Sequence, residues 1–124
     1  MDPNQLFKTK SLLYVEDDDI VRVNIAHFLR RRFKEVAEAE NGQAGLALYS
    51  SKAYDIVITD IEMPIMNGLK MIDKIQEIDL NQVIIITTGY NDDEHKSNKA
   101  CVNIIKPIIK DILLSAIYKC LLGN

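Results

Sequence analysis

The residues of this chain that are able to do chemistry share one placement. Glu16 and Asp17 follow the apolar run Leu12-Leu13-Tyr14-Val15, and Asp60 follows Ile56-Val57-Ile58-Thr59. Thr88 follows Val83-Ile84-Ile85-Ile86-Thr87, and Lys106 follows Val102-Asn103-Ile104-Ile105. Three carboxylates gathered in one place repel and resist full ionisation, and a bound hard cation relieves that repulsion. A donor set of oxygens without His or Cys suits magnesium, which accepts one or two carboxylates, backbone oxygens and water. A carboxylate beside such a cation is a competent nucleophile toward phosphorus and forms an aspartyl phosphate. An ammonium from Lys106 and a hydroxyl from Thr88 would then share the charge of the transferring group, which is most of what phosphoryl transfer requires.

Short apolar runs with no polar alternation read as strands buried on both faces. Between them lie helical patterns. Asp18 or Asp19 is an N-cap for a helix whose core face is Val21, Ile25, Phe28 and Leu29. Glu35 to Glu40 alternates as a less buried strand, Asn41-Gly42 breaks it, and Ala44, Ala47 and Leu48 begin a helix of small residues. Pro64 cannot continue the Asp60 strand, and Asn67-Gly68 turns into a helix carrying Leu69, Ile72 and Ile75. A last helix runs from about Ile108 to Leu122. Strands alternating with helices predict a parallel sheet covered on both faces. Residues that follow its strands gather at one edge, where open α/β sheets bind ligands.

The 124 residues allow one domain, and a hydrophobic content of 48% supplies a core. A net charge of −3 argues against nucleic-acid binding by this domain, and Arg30-Arg31-Arg32 is read as cations suited to a helix C-terminus. Cys101 and Cys120 lack framework spacing and are expected to be free thiols in a reducing compartment. The first ten residues hold Leu6 and Phe7 but no apolar run. Neither a signal peptide nor a spanning helix is therefore predicted, and a cytoplasmic location is expected. His27 lies opposite its helix's core face and His95 lies in a polar stretch, so neither is a metal ligand candidate.

Val-Glu-Asp-Asp after the first strand, Asp60 with Met63-Pro64 and Gly68, Thr88-Gly89, and Lys106-Pro107 together resemble the receiver domain of two-component response regulators, over roughly Ser11 to Leu122. Taken singly each piece has a plainer role: a solvated helix start, a loop cap, a strand-end hydroxyl, a surface lysine. All of them in this order and spacing are specific. The resemblance implies a flavodoxin-like, doubly wound, five-stranded parallel sheet of order 2-1-3-4-5, and residues 1–124 as one receiver domain. It implies Asp60 as phosphoacceptor, and magnesium held by Asp17 directly, by Glu16 through water and by the main-chain oxygen of Glu62. Thr88 and Lys106 would bind the phosphoryl group. A histidine kinase's phosphohistidine would be the donor. Tyr90 and Glu62 would tune hydrolysis. Such a domain is a phosphorylation-controlled switch rather than a turnover enzyme. Two alternatives are a degenerate receiver serving as an interaction module and a phosphatase of the haloacid dehalogenase type. The latter wants Asp two residues after the nucleophile, where this chain has Glu62.

The sequence departs from the family in two places. Asn103 stands where the fifth strand usually carries an aromatic. The gap from Thr88 to Lys106 is several positions short, and Asn91 to Lys99 contains no apolar residue, so the helix between the fourth and fifth strands is expected to be short, frayed or absent. On the last helix Ile109, Ile112, Leu113, Ala116, Ile117 and Cys120 form the expected core face, and Leu114, Tyr118 and Leu122 an opposite apolar stripe. That stripe is the expected docking surface for a second receiver or an output partner.

Overall fold

The structure, a computed structural model, describes residues 2–90 and 97–123. In chain order its elements are α1 (Pro3–Phe7), β1 (Ser11–Val15), α2 (Asp19–Arg30), β2 (Glu35–Ala39), α3 (Gly42–Ser51), β3 (Ile56–Asp60), α4 (Gly68–Ile78), β4 (Val83–Thr88), β5 (Val102–Ile105) and α5 (Lys110–Leu121). The strands form one parallel sheet in the order β2-β1-β3-β4-β5. This is the predicted doubly wound architecture.

Side-chain alternation along the strands divides the core in two. Leu12, Tyr14, Ile56, Ile58 and Ile85 meet Ile25, Leu29, Leu113 and Ile117 of α2 and α5. Leu13, Val15, Val57, Ile84 and Ile86 meet Tyr49 of α3 and Met71, Ile72 and Ile75 of α4 on the other face. The helices start where short polar side chains satisfy free amides. Asp18 Oδ1 accepts from the N–H groups of Ile20 and Val21 at 3.0 and 3.1 Å. Asn41 and Asn67 do the same for α3 and α4. On α3 the fully buried positions are Gly42, Gly45 and Tyr49, while Ala47 faces solvent.

Several expectations are corrected. The N-terminal residues form α1, which no apolar run announced. Its single buried residue, Phe7, stacks on Phe33 with centroids 4.6 Å apart. The expected stripe on α5 is not a free surface, because Tyr118 meets Phe7 edge-on and Leu114 packs on the same cluster. Of that stripe, Leu122 is exposed. Ile109 and Ile112, expected in the core, are instead 56% and 53% exposed. Ile109 precedes the first helical residue, and Ile112 borders a groove beside the edge strand β5. Cys101 and Cys120 are not free thiols. They form a disulfide, because packing α5 across the sheet brings its last turn to the start of β5, with the two Cα atoms 6.0 Å apart. The segment expected to lack a full helix, and His95 within it, falls largely on 91–96, outside the described residues; Ser97 to Ala100 follows as turn and bend.

Candidate functional site

β1, β3 and β5 each deliver one charged side chain to the carboxyl edge of the sheet. Lys106 Nζ lies 2.6 Å from Glu16 Oε1 and 2.9 Å from Asp60 Oδ2, so one ammonium from the end of β5 joins carboxylates from the ends of the neighbouring strands β1 and β3. Glu16 is fully buried and Asp60 is 7% exposed, whereas Asp17 is open to solvent. Each buried carboxylate also has a backbone donor: Asp18 N–H reaches Glu16 Oε2 at 3.2 Å, and Ile61 N–H reaches Asp60 Oδ1 at 2.7 Å.

The loop after β3 is fixed by close packing. Gly68 N–H donates to Ile61 O at 2.8 Å, and a Cβ at Gly68 would stand 2.0 Å from Asp60 O, so α4 begins against the phosphoacceptor candidate only because that position is glycine. Ile65, in the same loop, has φ of 70°, and Met66 N–H bonds to Pro64 O across it at 2.8 Å. That is a tight three-residue turn with a β-branched residue in the left-handed region. Lys106 is positioned from the other side. Its N–H donates to Thr88 O at 2.7 Å, and its peptide bond to Pro107 is cis.

Burial raises the Glu16 carboxyl above the usual carboxylate range, opposed by the hydrogen bonds from Lys106 and from Asp18 N–H. Burial acts on Lys106 in the opposite sense, but its bonds to Glu16 and Asp60 outweigh it and hold the ammonium above the ordinary lysine value. Both shifts describe one situation: among the described residues, buried negative charge at the sheet edge is balanced by the Lys106 ammonium.

Oxygen atoms of Glu16, Asp17 and Asp60 lie within 4.8 Å of one another. Two of these carboxylates are buried and share that one ammonium, and the donors are all oxygen. The set therefore fits a hard divalent cation. Thr88 is fully buried, and its Oγ1 accepts from Tyr90 N–H at 3.1 Å, leaving the hydroxyl proton for an incoming acceptor. Tyr90 itself is half exposed at the rim. The predicted residues Glu16, Asp17, Asp60, Glu62, Thr88 and Lys106 thus stand on or directly after the ends of four neighbouring strands.

Three other residues escaped the sequence analysis. Arg22 Nη1 donates to Glu16 O at 2.9 Å, while its guanidinium pairs with Asp19 and Glu38. Thr87 stands in register with Asp60 on β3, fully buried, its hydroxyl without a partner. Tyr14 lies two residues before Glu16 on the same strand face, and its buried hydroxyl also lacks a partner. Burial, then the Glu16 and Asp60 charges, push the Tyr14 phenol far upward. Strand alternation was the available signal: Tyr14 and Thr87 fall on the α2/α5 side of their strands.

The model of the response regulator receiver domain family matches residues 12–121. A chemotaxis protein CheY of Halobacterium salinarum is 33% identical over 112 residues, covering 87% of this chain and 93% of that protein. A cyclic di-GMP phosphodiesterase of Thermotoga maritima is 33% identical over 109 residues, covering 83% of this chain and 28% of that protein. The chain therefore spans nearly all of one curated relative and under a third of the other. Among solved structures, the response regulator protein TrrA of Thermotoga maritima, in complex with Mg2+ and BeF, is 30% identical with a TM-score of 0.80, covering 90% of this chain and 99% of that one. With the fold order and carboxyl-edge residues already in place, a match of that extent means that this chain belongs to the response regulator receiver domains.

Proposed function

We propose that Asp60 accepts a phosphoryl group from the phosphohistidine of a histidine kinase, and that the modified domain changes its binding to an output domain or partner protein. The observation that carries this is Lys106 Nζ bridging Asp60 and Glu16 at the sheet edge, beside Asp17. An oxygen of the Asp60 carboxylate attacks phosphorus. The phosphorus–nitrogen bond of the donor breaks, and its imidazole leaves with the bonding pair and takes a proton. The acyl phosphate adds charge that Lys106 meets by turning from Asp60 to a phosphoryl oxygen, while the Thr88 hydroxyl donates to another. Asp17, Glu16, Asp60 and the main-chain oxygen of Glu62 would hold magnesium, which when bound offsets the charge shared by carboxylates and phosphoryl oxygens. When Lys106 turns to the phosphoryl group its charge is no longer shared with Asp60, and a replacement cation among the three carboxylates offsets that loss, which supports magnesium as a requirement for labelling.

Because Thr88 Oγ1 holds Tyr90 N–H, a hydroxyl drawn toward a phosphoryl group pulls on the chain that follows β4. Asn103 does not act as a rotating aromatic. Its side chain holds Ser97 by two bonds of 3.1 Å, Ser97 N–H to Oδ1 and Nδ2 to Ser97 O, tying the segment before β5 to the strand. On α5 and its two caps, Ile109, Ile112 and Leu122 are apolar and open to a second receiver or an output partner. No described helix is long and apolar enough to cross a membrane, and the kinase reading places the domain in the cytoplasm. Incubation with acetyl phosphate and magnesium tests the proposal: the wild-type chain gains one phosphate by mass and Asp60→Asn gains none. Full labelling of Asp60→Asn sinks the assignment.

A further inference from the structure

The Cys101–Cys120 disulfide lies apart from the phosphorylation machinery and between two openings. A cavity of about 440 Å³ on one side is lined by Cys101, Val102, Ile112, Ala116, Lys119 and Cys120 among others. A second of about 310 Å³, bordered by Gln82, Ile84 and Ala100, also reaches both cysteines. Cys101 is solvent-exposed and Cys120 is 5% exposed. A disulfide that serves only the core is packed on both sides, whereas exposed disulfides are the labile ones. Asp111 and Lys119 both line the larger cavity, so it sets no net charge against an approaching small thiol.

The bond also spans a weakly held element. β5 has four residues and stands at the edge of the sheet, so β4 alone pairs with it. Its two ends are fixed by Cys101 N–H to Ile84 O and by Lys106 N–H to Thr88 O, each 2.7 Å. The disulfide fastens the first of those ends to the last turn of α5, closing the stretch that contains β5, Lys106 and α5. Short edge segments with few partners open at low free energy, and a covalent tie at their margin suppresses the opening.

We propose that Cys101–Cys120 is a reversible redox site, opened and closed by low-molecular-weight thiols and disulfides, whose state sets how firmly the β5 edge strand is held. A thiolate attacks the exposed Cys101 sulfur, forming a mixed disulfide and releasing Cys120 as a thiolate that takes a proton. A second thiol attacks the outer sulfur of the mixed disulfide, freeing Cys101 as a thiol and leaving the small molecule oxidised. Two electrons and two protons pass to the protein, and the reverse exchange with a small disulfide returns them. The inference stands whether or not Asp60 takes a phosphoryl group.

The test uses the whole chain under native conditions, with reduced and oxidised glutathione as the probes. Free thiols are counted by alkylation and mass, and amide hydrogen exchange is followed in both redox states. The account expects reduction with a rate proportional to glutathione concentration. It expects exchange over Val102 to Ile105 to rise about tenfold or more in the reduced form while Leu12 to Val15 stays protected. Oxidised glutathione should restore the original protection, and Cys101→Ala should exchange like the reduced wild type. If that variant does not fold, reduction and reoxidation of the wild type carry the test alone. A reduction rate independent of glutathione and equal to global unfolding overturns the proposal, as does β5 protection that is the same in both states.

Discussion

Replacing Lys106 by methionine removes the one cation that, among the described residues, joins Glu16 to Asp60. Glu16 is fully buried and would keep a single backbone donor, Asp18 N–H at 3.2 Å. Removing one partner from a buried ion pair costs about 3–5 kcal/mol. The lower end applies, because the Lys106 side chain is 23% exposed and a raised Glu16 pKa lets that carboxyl escape by taking a proton. A loss of about 3 kcal/mol at pH 7.5 without metal corresponds to roughly 10 °C in Tm for a domain of this size. Magnesium should restore much of it, since a cation bound at a hundred times its Kd contributes about 2.7 kcal/mol and no longer competes with the ammonium. Thermal unfolding of wild type and Lys106→Met, each with and without magnesium, reads both effects. Equal Tm values for the metal-free proteins, or a magnesium shift in Lys106→Met no larger than in wild type, would refute the assignment of Lys106 as the site's resident counter-charge.

Glu16, with its folded-state pKa raised by burial, contributes stability at low pH that is lost as pH rises through that value, so wild type should lose ground to Glu16→Gln as pH rises above the ordinary carboxylate range in metal-free urea titrations. Lys106 has the same sign at higher pH: its contribution persists through neutrality and disappears as pH passes above the lysine range, a loss that Lys106→Met should not show. Ile65→Asn should raise stability by about 1 kcal/mol, because Ile65 is 77% exposed and Asn tolerates its positive φ; a lower Tm would show that the turn relies on the isoleucine side chain. Tyr14→Phe should be neutral or stabilising by up to about 1 kcal/mol, since the hydroxyl it removes is buried without a partner, and a loss of more than that would reveal a bond made by that hydroxyl.

The strands themselves and the convergence of Glu16, Asp17, Asp60, Thr88 and Lys106 were legible because each lies on a pattern that local sequence carries, whereas the order 2-1-3-4-5 was implied by the family resemblance. A buried parallel strand is a continuous apolar run, and the residue after it lies at the sheet edge whatever the helices do. What was hidden depends on contacts between distant segments. Phe7 is a lone aromatic in a polar stretch; Asp2 and Gln5 cap α1 locally, but Phe33 and Tyr118 are what hold it against the domain. That same contact covers the α5 stripe that helical periodicity alone left open. Cys101 and Cys120 carry no spacing signature, because their meeting is set by where α5 lies across the sheet rather than by the chain between them. Thr87 and Thr88 look alike in sequence. Register with Asp60 separates a buried orphan hydroxyl from one that already holds a backbone amide.

The central claim is that Asp60, among the three clustered carboxylates, carries the phosphoryl group. Borohydride converts an aspartyl phosphate to homoserine, so the chain labelled with acetyl phosphate and magnesium can be reduced, digested and mapped by mass spectrometry. The account predicts homoserine at position 60 and intact acids at Glu16 and Asp17. Homoserine at Asp17, or a labelled protein with Asp60 unchanged, would contradict it.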